Sequence, residues 1–529
     1  MLSSCFRRSL WRTQASLFCW IAHDGYHCRR QISTSSLQLD SSLHGLVNKL
    51  ADSQPCFAMK SGNVQILREP TKFYETLLEM IRRAKKRIFI SSLYIGSEED
   101  ELINTLMHAL KANPSLQVRM HLDLNRSTRP GAKSTAQLVL PLLETYPDRV
   151  HIALFRSPKL KGVMAKIVPP RFNEGWGTWH PKIYGADDDV LISGANLNES
   201  YFTNRQDRYV LLRSQPAVAQ YCFAFLQASS GFSYKLLASS DTPQGYQLIW
   251  PDRNVHPQHI EDKAECAWKT FQDTYRLSST FRIPSSTTDA IDQATDADHD
   301  VLVFPIIQAG QFNIREEEHA LGLLFGEISN VAMHAHNGQS KIYGGPVVDL
   351  TSGYFGIYRP YRDFILTSVA ATRIIAAAPK ANGFYGSSGL SGRLPEGYTL
   401  LEQRFMSAVQ RAGREWADSP TKDTHDVGGI QLREWARDGW TYHAKGIWLR
   451  PTPSADPYLT VFGSTNLNSR SANLDTELSF VLVTSSPTLR RQLAEEVEGL
   501  RMHTQPWRGG ERKVRIGTKA LVAVMGGML

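Results

Sequence analysis

His180-Pro-Lys182 and His443-Ala-Lys445 each set an imidazole two residues from an ammonium. On an extended segment residues i and i+2 share a face, so each pair presents a nucleophile or proton carrier beside a fixed positive charge. That pairing suits a phosphate ester: the lysine neutralises non-bridging oxygens while the imidazole attacks phosphorus or moves a proton. A single His-x-Lys is weak evidence in a chain with 16 histidines. The two copies, however, are each followed by a strand-like run, an Asn-Leu-Asn and an acid. The first asparagine lies 16 residues after the histidine in the first copy (196 minus 180) and 23 in the second (466 minus 443), the extra seven matching the insertion PTPSADP.

After His180 come the apolar Val190-Leu191-Ile192, then Ser193-Gly194-Ala195-Asn196-Leu197-Asn198, and further on Asp207. After His443 come Tyr458 to Phe462, then Gly463-Ser464-Thr465-Asn466-Leu467-Asn468, and Glu477. The acid lies eleven positions beyond the first asparagine in both halves (207 minus 196, 477 minus 466). Asn196 and Asn466 are neutral donors for phosphoryl oxygens. Asp207 and Glu477 are the acids available to hold an imidazole in one tautomer. Two histidines with unperturbed pKa values near neutrality supply a nucleophile and a general acid/base. The first copy continues to Asp187, but the same count from Lys445 reaches Arg450. By alternation from His180, Asp187 falls on the opposite face, leaving a catalytic and a structural role both open. Arg450 reads as a relaxed position beside a hairpin loop lengthened by PTPSADP.

Together these residues resemble the phospholipase D superfamily, whose signature is His-x-Lys-x4-Asp followed by Gly/Ser-x-Asn, usually present twice. His180, Lys182 and Asp187 match it in full; His443 and Lys445 match, and Arg450 departs. The resemblance implies an α/β fold of two phospholipase D-like domains related by a pseudo-twofold, with mixed sheets flanked by helices and both motifs at one shared site. KIVPPRFNEGWGTWHPKIY (166–184), LDLNRSTRPG (122–131) and PKANGFYGSSGLSG (379–392) are similar to the mitochondrial phosphatidylglycerophosphate synthases within it. That likeness implies transfer of a phosphatidyl group from CDP-diacylglycerol to glycerol 3-phosphate without a cofactor. It also implies His180 as nucleophile, His443 as acid and then base, and Lys182 and Lys445 on the phosphoryl oxygens. Water in place of glycerol 3-phosphate would make a hydrolase of the same residues, a phospholipase D or nuclease. Arg450 is the feature that favours a binding module without activity.

Further phosphate partners are sought in loops after strands, where α/β domains bind ligands. Arg126 and Arg129 follow a strand-like run, and Arg171 and Asn173 shortly precede His180. Gly386, Gly389 and Gly392 are spaced for close approach to a phosphate, but no Gly-Lys-Ser/Thr follows them. Neither a zinc spacing nor an aspartate-rich metal motif occurs, so no catalytic metal is expected.

The chain has 529 residues, 42% hydrophobic and 21% charged, which points to a soluble protein of at least two domains. Its net charge of +8 is concentrated at the start, where Arg7, Arg8, Arg12, Arg29 and Arg30 face one acid, Asp24. Arg- and Ser-rich, acid-poor and interleaved with Leu, Phe and Trp, residues 1–36 read as a mitochondrial transit peptide. Location in the mitochondrion, on the matrix side of the inner membrane, is expected. No apolar run is long enough to cross a bilayer, so membrane contact should be peripheral. No nucleic-acid partner is expected.

The elements that must carry the motifs are legible in outline. Phe73, Leu77, Met80 and Ala84 have helical spacing before the buried-strand run Ile88-Phe89-Ile90. Ser97 and Asp100 resemble a capping box for a second helix, and Val118, Met120, Leu122 and Leu124 alternate as a strand. YRDFILTSVAATRIIAAAPK repeats the helix-then-strand order later in the chain. Residues 284–300, with five aspartates and no Lys or Arg, read as a linker between a first domain at 37–283 and a second at 301–529. The tail 508–529 mixes basic and apolar residues and reads as a docked helix.

Overall fold

The structure is a computed structural model that describes residues 41–131, 133–170, 172–278, 299–337, 345–416 and 428–527. The transit-peptide segment and most of the acidic linker lie outside these residues.

The helix expected from Phe73, Leu77 and Met80 runs Pro70–Arg83 and buries all three, with Pro70 in the first turn, where its missing N–H costs nothing. Strand Arg87–Ser91 follows, then helix Asp100–Ala112 and strand Gln117–Asp123. The Ser97–Asp100 capping box does not form. Ser97 turns to Glu98, and Glu99, at the cap position, accepts instead from the backbone N–H of Glu199 (2.7 Å).

Two mixed sheets result. The first runs in the order Tyr246–Ile249, Tyr234–Ala238, Val150–Phe155, Gln117–Asp123, Arg87–Ser91, Ile183–Ala186, Asp189–Ser193, Tyr209–Leu212, Val64–Leu67. The second runs Phe57–Met59, Val301–Ala309, Glu477–Thr484, Leu459–Gly463, Lys445–Arg450, Val347–Ser352, Ala371–Ala377, Ile430–Trp435, Thr504–Pro506. Read from Thr504–Pro506 back to Val301–Ala309, the second sheet repeats, strand for strand, the order and polarity found from Tyr234–Ala238 to Val64–Leu67. In each, three parallel strands adjoin an antiparallel run. The repeat suspected from two motifs is therefore a repeat of whole sheets.

Helices cover both faces of each sheet. The outer faces close separate cores, one around Ile90, Leu106 and Leu191 and the other around Phe304, Leu324 and Ile374. The inner faces share one continuous core, in which Ile192, Phe225 and Trp268 join Val303, Phe480 and Val497. At roughly 1.5–3 kcal/mol for each large apolar side chain removed from water, this layer contributes strongly to holding the halves together. The first described residues cross over as well. Phe57–Met59 pairs with Val301–Ala309, and Leu43, Leu46 and Leu50 pack with Leu302 and Leu324. Residues 41–59 therefore belong to the second sheet, although sequence order groups them with the first domain. Strand pairing decided that against chain order. The tail helix Ile516–Met525 docks by Thr518 and Val522, the latter packing against Leu400.

Asp187, included in the catalytic set because it completes the motif, turns away from the histidines. It sits at φ 52° in the tight turn between Ile183–Ala186 and Asp189–Ser193. Its carboxylate accepts from the backbone N–H groups of Lys85 (2.8 Å), Lys86 (2.7 Å) and Arg87 (3.0 Å). This is a structural anchor for the strand that begins at Arg87, in agreement with strand alternation. Its counterpart Arg450 is not relaxed. Arg450 is buried, with Nε on Asp349 (2.9 Å) and Nη2 on Glu498 (3.2 Å), and Asp349 also takes Arg373. Each half ties the same strand end to its neighbour with opposite polarity. Replacing Asp187 by Ala strands three backbone donors and should cost about 1–3 kcal/mol, read as a lowered denaturation midpoint, while kcat stays near wild type.

Candidate active site

The segments leading to the two histidines each leave their own sheet and pair with the other half. The backbone of Thr178 accepts from Thr476 (2.9 Å), and His180 N–H donates back to the Thr476 carbonyl (2.9 Å). On the other side Thr441 N–H donates to Asn204 (3.0 Å) and His443 N–H to Gln206 (2.8 Å), around the short parallel pairing of Thr441–Tyr442 with Arg205–Gln206. This crossing delivers each imidazole to the acid of the opposite half. His180 Nδ1 lies 2.8 Å from Glu477 Oε2, and His443 Nδ1 lies 2.6 Å from Asp207 Oδ2. Equivalent positions in sequence thus identified the two acids, and the structure exchanges their partners.

Neighbouring residues hold both pairs in place. Trp179 donates its backbone N–H to Asp123 (3.0 Å) and its indole to Ser91 (2.9 Å), and it stacks on His121. Burial pushes the Asp123 carboxyl up to about 7. Glu477 accepts from Ser464 and from Ser471 (2.7 Å). Asp207 has its own backbone neighbour Arg208 bound across the interface to Glu496 (2.8 Å) and lying 3.8 Å over the Trp448 ring. Gly194 occupies the position equivalent to Ser464. A Cβ there would come within 2.5 Å of Asp207 Oδ1 and 2.6 Å of Lys445 Nζ, so a larger residue would push the second pair out of this arrangement.

The site is closely packed, with His180 4% and His443 3% exposed. Lys182 Nζ donates to the His180 carbonyl (2.6 Å), while Lys445 Nζ lies 2.7 Å from His443 Nδ1 and 3.5 Å from Asp207 Oδ2. Burial lowers Lys445 to about 8, and it lowers Lys182 well below the usual lysine range against the pull of Glu477. Burial, aided by Lys445, takes His443 down to about 3; burial lowers His180 too, although Glu477 opposes it. Burial acts to raise the Glu477 carboxyl, but His180 and Lys182 outweigh it and hold the group at about 2. Asp207 is likewise held low against burial by Lys445 and His443. At neutral pH the resting site is therefore two neutral imidazoles on two carboxylates, with lysines alongside. Among the described residues no hydrogen bond is made to His180 Nε2, while its Nδ1 is held by Glu477.

The asparagines diverge. Asn196 Nδ2 donates to the Tyr201 hydroxyl (3.1 Å), whereas the buried Asn466 Oδ1 has no hydrogen-bond partner among the described residues. Arg126 and Arg129 do reach this region but share Glu174, and Arg126 lies 4.2 Å over the Tyr94 ring. Arg171 lies outside the described residues. Gly386 and Gly389 have φ of 75° and 66°, so their spacing serves backbone turns in the loop after Ala371–Ala377. No group of three or more His, Cys, Asp or Glu among the described residues is arranged to hold a metal ion.

Four residues went unseen in the sequence. Tyr201 places its hydroxyl 3.5 Å from His443 Nε2, and the edges of Tyr201 and Tyr354 meet the same ring at 5.2 and 5.3 Å. Asp475 accepts from Thr178 N–H (2.8 Å) and pairs with Arg470, fixing one crossing segment. Arg205 lies 4.5 Å over Tyr201. Tyr201 and Ser471 hold equivalent positions, as do Arg205 and Asp475, so nothing repeats between the halves to mark these, whereas Tyr354 stands where the first half has Tyr94. Asp475, two residues before Glu477 and hence on its face, was the one that spacing could have found.

No family model matches the chain. A probable CDP-diacylglycerol–glycerol-3-phosphate 3-phosphatidyltransferase of Dictyostelium discoideum is 34% identical over 94% of this chain and 83% of its own length. The enzyme of that name from Schizosaccharomyces pombe is 34% identical over 89% and 95%. The Homo sapiens protein, named mitochondrial, is 35% identical over 84% and 78%. Among solved structures, a phosphatidylserine synthase of Haemophilus influenzae Rd KW20 has the same fold, with TM-score 0.61 at 20% identity, over 91% of this chain and 97% of that one. Likeness of this depth along nearly the whole chain means that it belongs to the CDP-diacylglycerol–glycerol-3-phosphate 3-phosphatidyltransferase family.

Proposed function

We propose that this protein transfers the phosphatidyl group of CDP-diacylglycerol to glycerol 3-phosphate, giving phosphatidylglycerophosphate and CMP, through a phosphohistidine intermediate. The observation that carries this reading is the pair of crossed imidazole–carboxylate contacts in one buried site. His180 Nε2 attacks the phosphatidyl phosphorus as the bond to the CMP oxygen breaks. The His443 imidazole then takes the proton of the acceptor hydroxyl, whose oxygen attacks phosphorus as the bond to His180 breaks. Lys182 and Lys445 face the charge on the phosphoryl oxygens.

The two halves fit these roles unequally. Glu477 is clamped by two serines, which favours a fixed nucleophile on His180. His443 instead has a tyrosine hydroxyl at its Nε2. CMP leaves as a phosphate whose last proton has a pKa of about 6, so its departure asks little of an acid. Removing a proton from an alcohol is the heavier demand; the neutral His443 imidazole is free to accept it, and Asp207 stabilises the imidazolium that forms.

A lipid substrate requires a bilayer within reach. No helix among the described residues is long and apolar enough to cross one. The loop that leads to His180, however, exposes Val163 (68%), Met164 and Ile167 (67%) among the exposed Lys159, Lys161 and Lys166. Apolar tips ringed by lysines suit an anionic membrane surface, here the matrix face of the mitochondrial inner membrane.

Labelled CDP-diacylglycerol with purified protein should yield phosphatidylglycerophosphate only when glycerol 3-phosphate is present. Phosphatidic acid in its place would make the protein a hydrolase, and a covalent adduct on His443 would reverse the assigned roles. E477Q and D207N should each lower kcat by about 10²–10⁴-fold. D207N should spare exchange of labelled CMP into CDP-diacylglycerol more than net transfer, whereas E477Q should suppress both. V163E/I167E should weaken sedimentation with anionic vesicles several-fold and leave turnover of detergent-dispersed substrate near wild type.

A further inference from the structure

The arginines around the catalytic cleft differ in what they face. Arg126 and Arg129 share Glu174, Arg470 is paired with Asp475, and Arg208 with Glu496. Arg205 has no carboxylate partner among the described residues, although it is only partly exposed. Its Nε donates to Thr441 Oγ1 (3.0 Å), and its guanidinium lies 4.5 Å over the Tyr201 ring. That leaves the outer edge of the fork, the part that recognises phosphate bidentately, without a protein anion. At Gly383 a Cβ would come within 3.2 Å of Arg205 Nη2 and 3.0 Å of the Tyr354 hydroxyl, so the absent side chain keeps this edge uncovered.

The side-chain hydrogen bond and the ring contact of Arg205 both lead to His443. Thr441 is two residues before His443, and Tyr201 and Tyr354 both meet its ring. The transferred phosphoryl group is already faced by two lysines. The acceptor carries a second phosphate, at the far end of a three-carbon chain from the hydroxyl that must reach the base.

We infer that Arg205, with the hydroxyls of Tyr201 and Tyr354, seats the phosphate of the acceptor alcohol, and so sets its hydroxyl against His443 and selects it over water and unphosphorylated glycerol. This rests on the phosphatidyl-transfer reading. A cation next to a base also lowers the base's affinity for a proton, and the acceptor dianion reverses that on arrival, so His443 becomes a stronger base once the acceptor is seated.

The test compares wild type, R205K and R205Q in steady-state kinetics with varied glycerol 3-phosphate at saturating CDP-diacylglycerol, alongside acceptor-free exchange of labelled CMP. R205Q should raise KM for glycerol 3-phosphate at least about tenfold, as expected for a lost charge-assisted contact, with R205K between it and wild type. KM for CDP-diacylglycerol and the exchange rate should stay within about twofold of wild type, and inorganic phosphate should compete with the acceptor less well in R205Q. An unchanged KM for glycerol 3-phosphate sinks the seat alone. Loss of CMP exchange, or a raised KM for CDP-diacylglycerol, places Arg205 on the diphosphate or in the framework and also overturns it. Wild type that forms no phosphatidylglycerophosphate removes the reaction on which the inference stands.

Discussion

Each of the two catalytic imidazoles takes the partner for its Nδ1 from the other half. Everything around the site follows from that exchange. The segments carrying Asp207 and Glu477 must come close enough for each to reach across, so the crossing segments at Thr178–His180 and Thr441–His443 pair with foreign backbone. The halves therefore cannot slide past one another without losing both pairs together. Arg208, spanning the interface from beside Asp207 to Glu496, makes the same demand with a buried ion pair. Breaking such a pair by displacing one partner costs several kcal/mol, because the remaining charge stays out of water. The continuous inner core supplies the attraction, and the exchanged contacts fix the alignment.

Duplication has left the halves alike in topology but not in chemistry. One acid is a glutamate clamped by two serines; the other is an aspartate beside a glycine that makes room for a lysine. Where one half has Ser471 the other has Tyr201, and where one has Asp475 the other has Arg205. These are neighbouring substitutions of opposite character, and they turn a near-symmetric site into one with two distinct sides. A two-step transfer needs that, since the group that attacks phosphorus and the group that deprotonates an alcohol have different tasks at the same pH.

Much of this could be read from the chain because the catalytic residues repeat. His180, Lys182 and Asn196 each have a counterpart in register, and repetition is visible without a structure. The doubled sheet was legible for the same reason, from helix-then-strand patterns around Phe73 and Phe364. What repetition cannot mark is what differs. Arg205 and Tyr201 have no counterparts of like chemistry, and their nearness to His443 depends on loops from both halves folding over one cleft. The exchange of acids was hidden too, because register gives equivalence but not which of two equivalent sites a side chain occupies. Arg450 misled in the opposite way. Its departure from the motif looked like loss of constraint, yet its counter-charge, Asp349, lies on a neighbouring strand far away in sequence.

The crossing of residues 41–59 to the second sheet bears on how the chain is made. Phe57–Met59 emerges early but finds its neighbour, Val301–Ala309, only after some 240 further residues, and that strand is itself completed by Glu477–Thr484 near the end. Chains fold vectorially, and an unpaired strand is open to mispairing while it waits. A chain threaded through a membrane from its N-terminus would hold this edge open until almost the last residue had passed. Completion of the second sheet is then the event that seals both ends of the chain, and it sets the interval during which the protein depends on protection from aggregation.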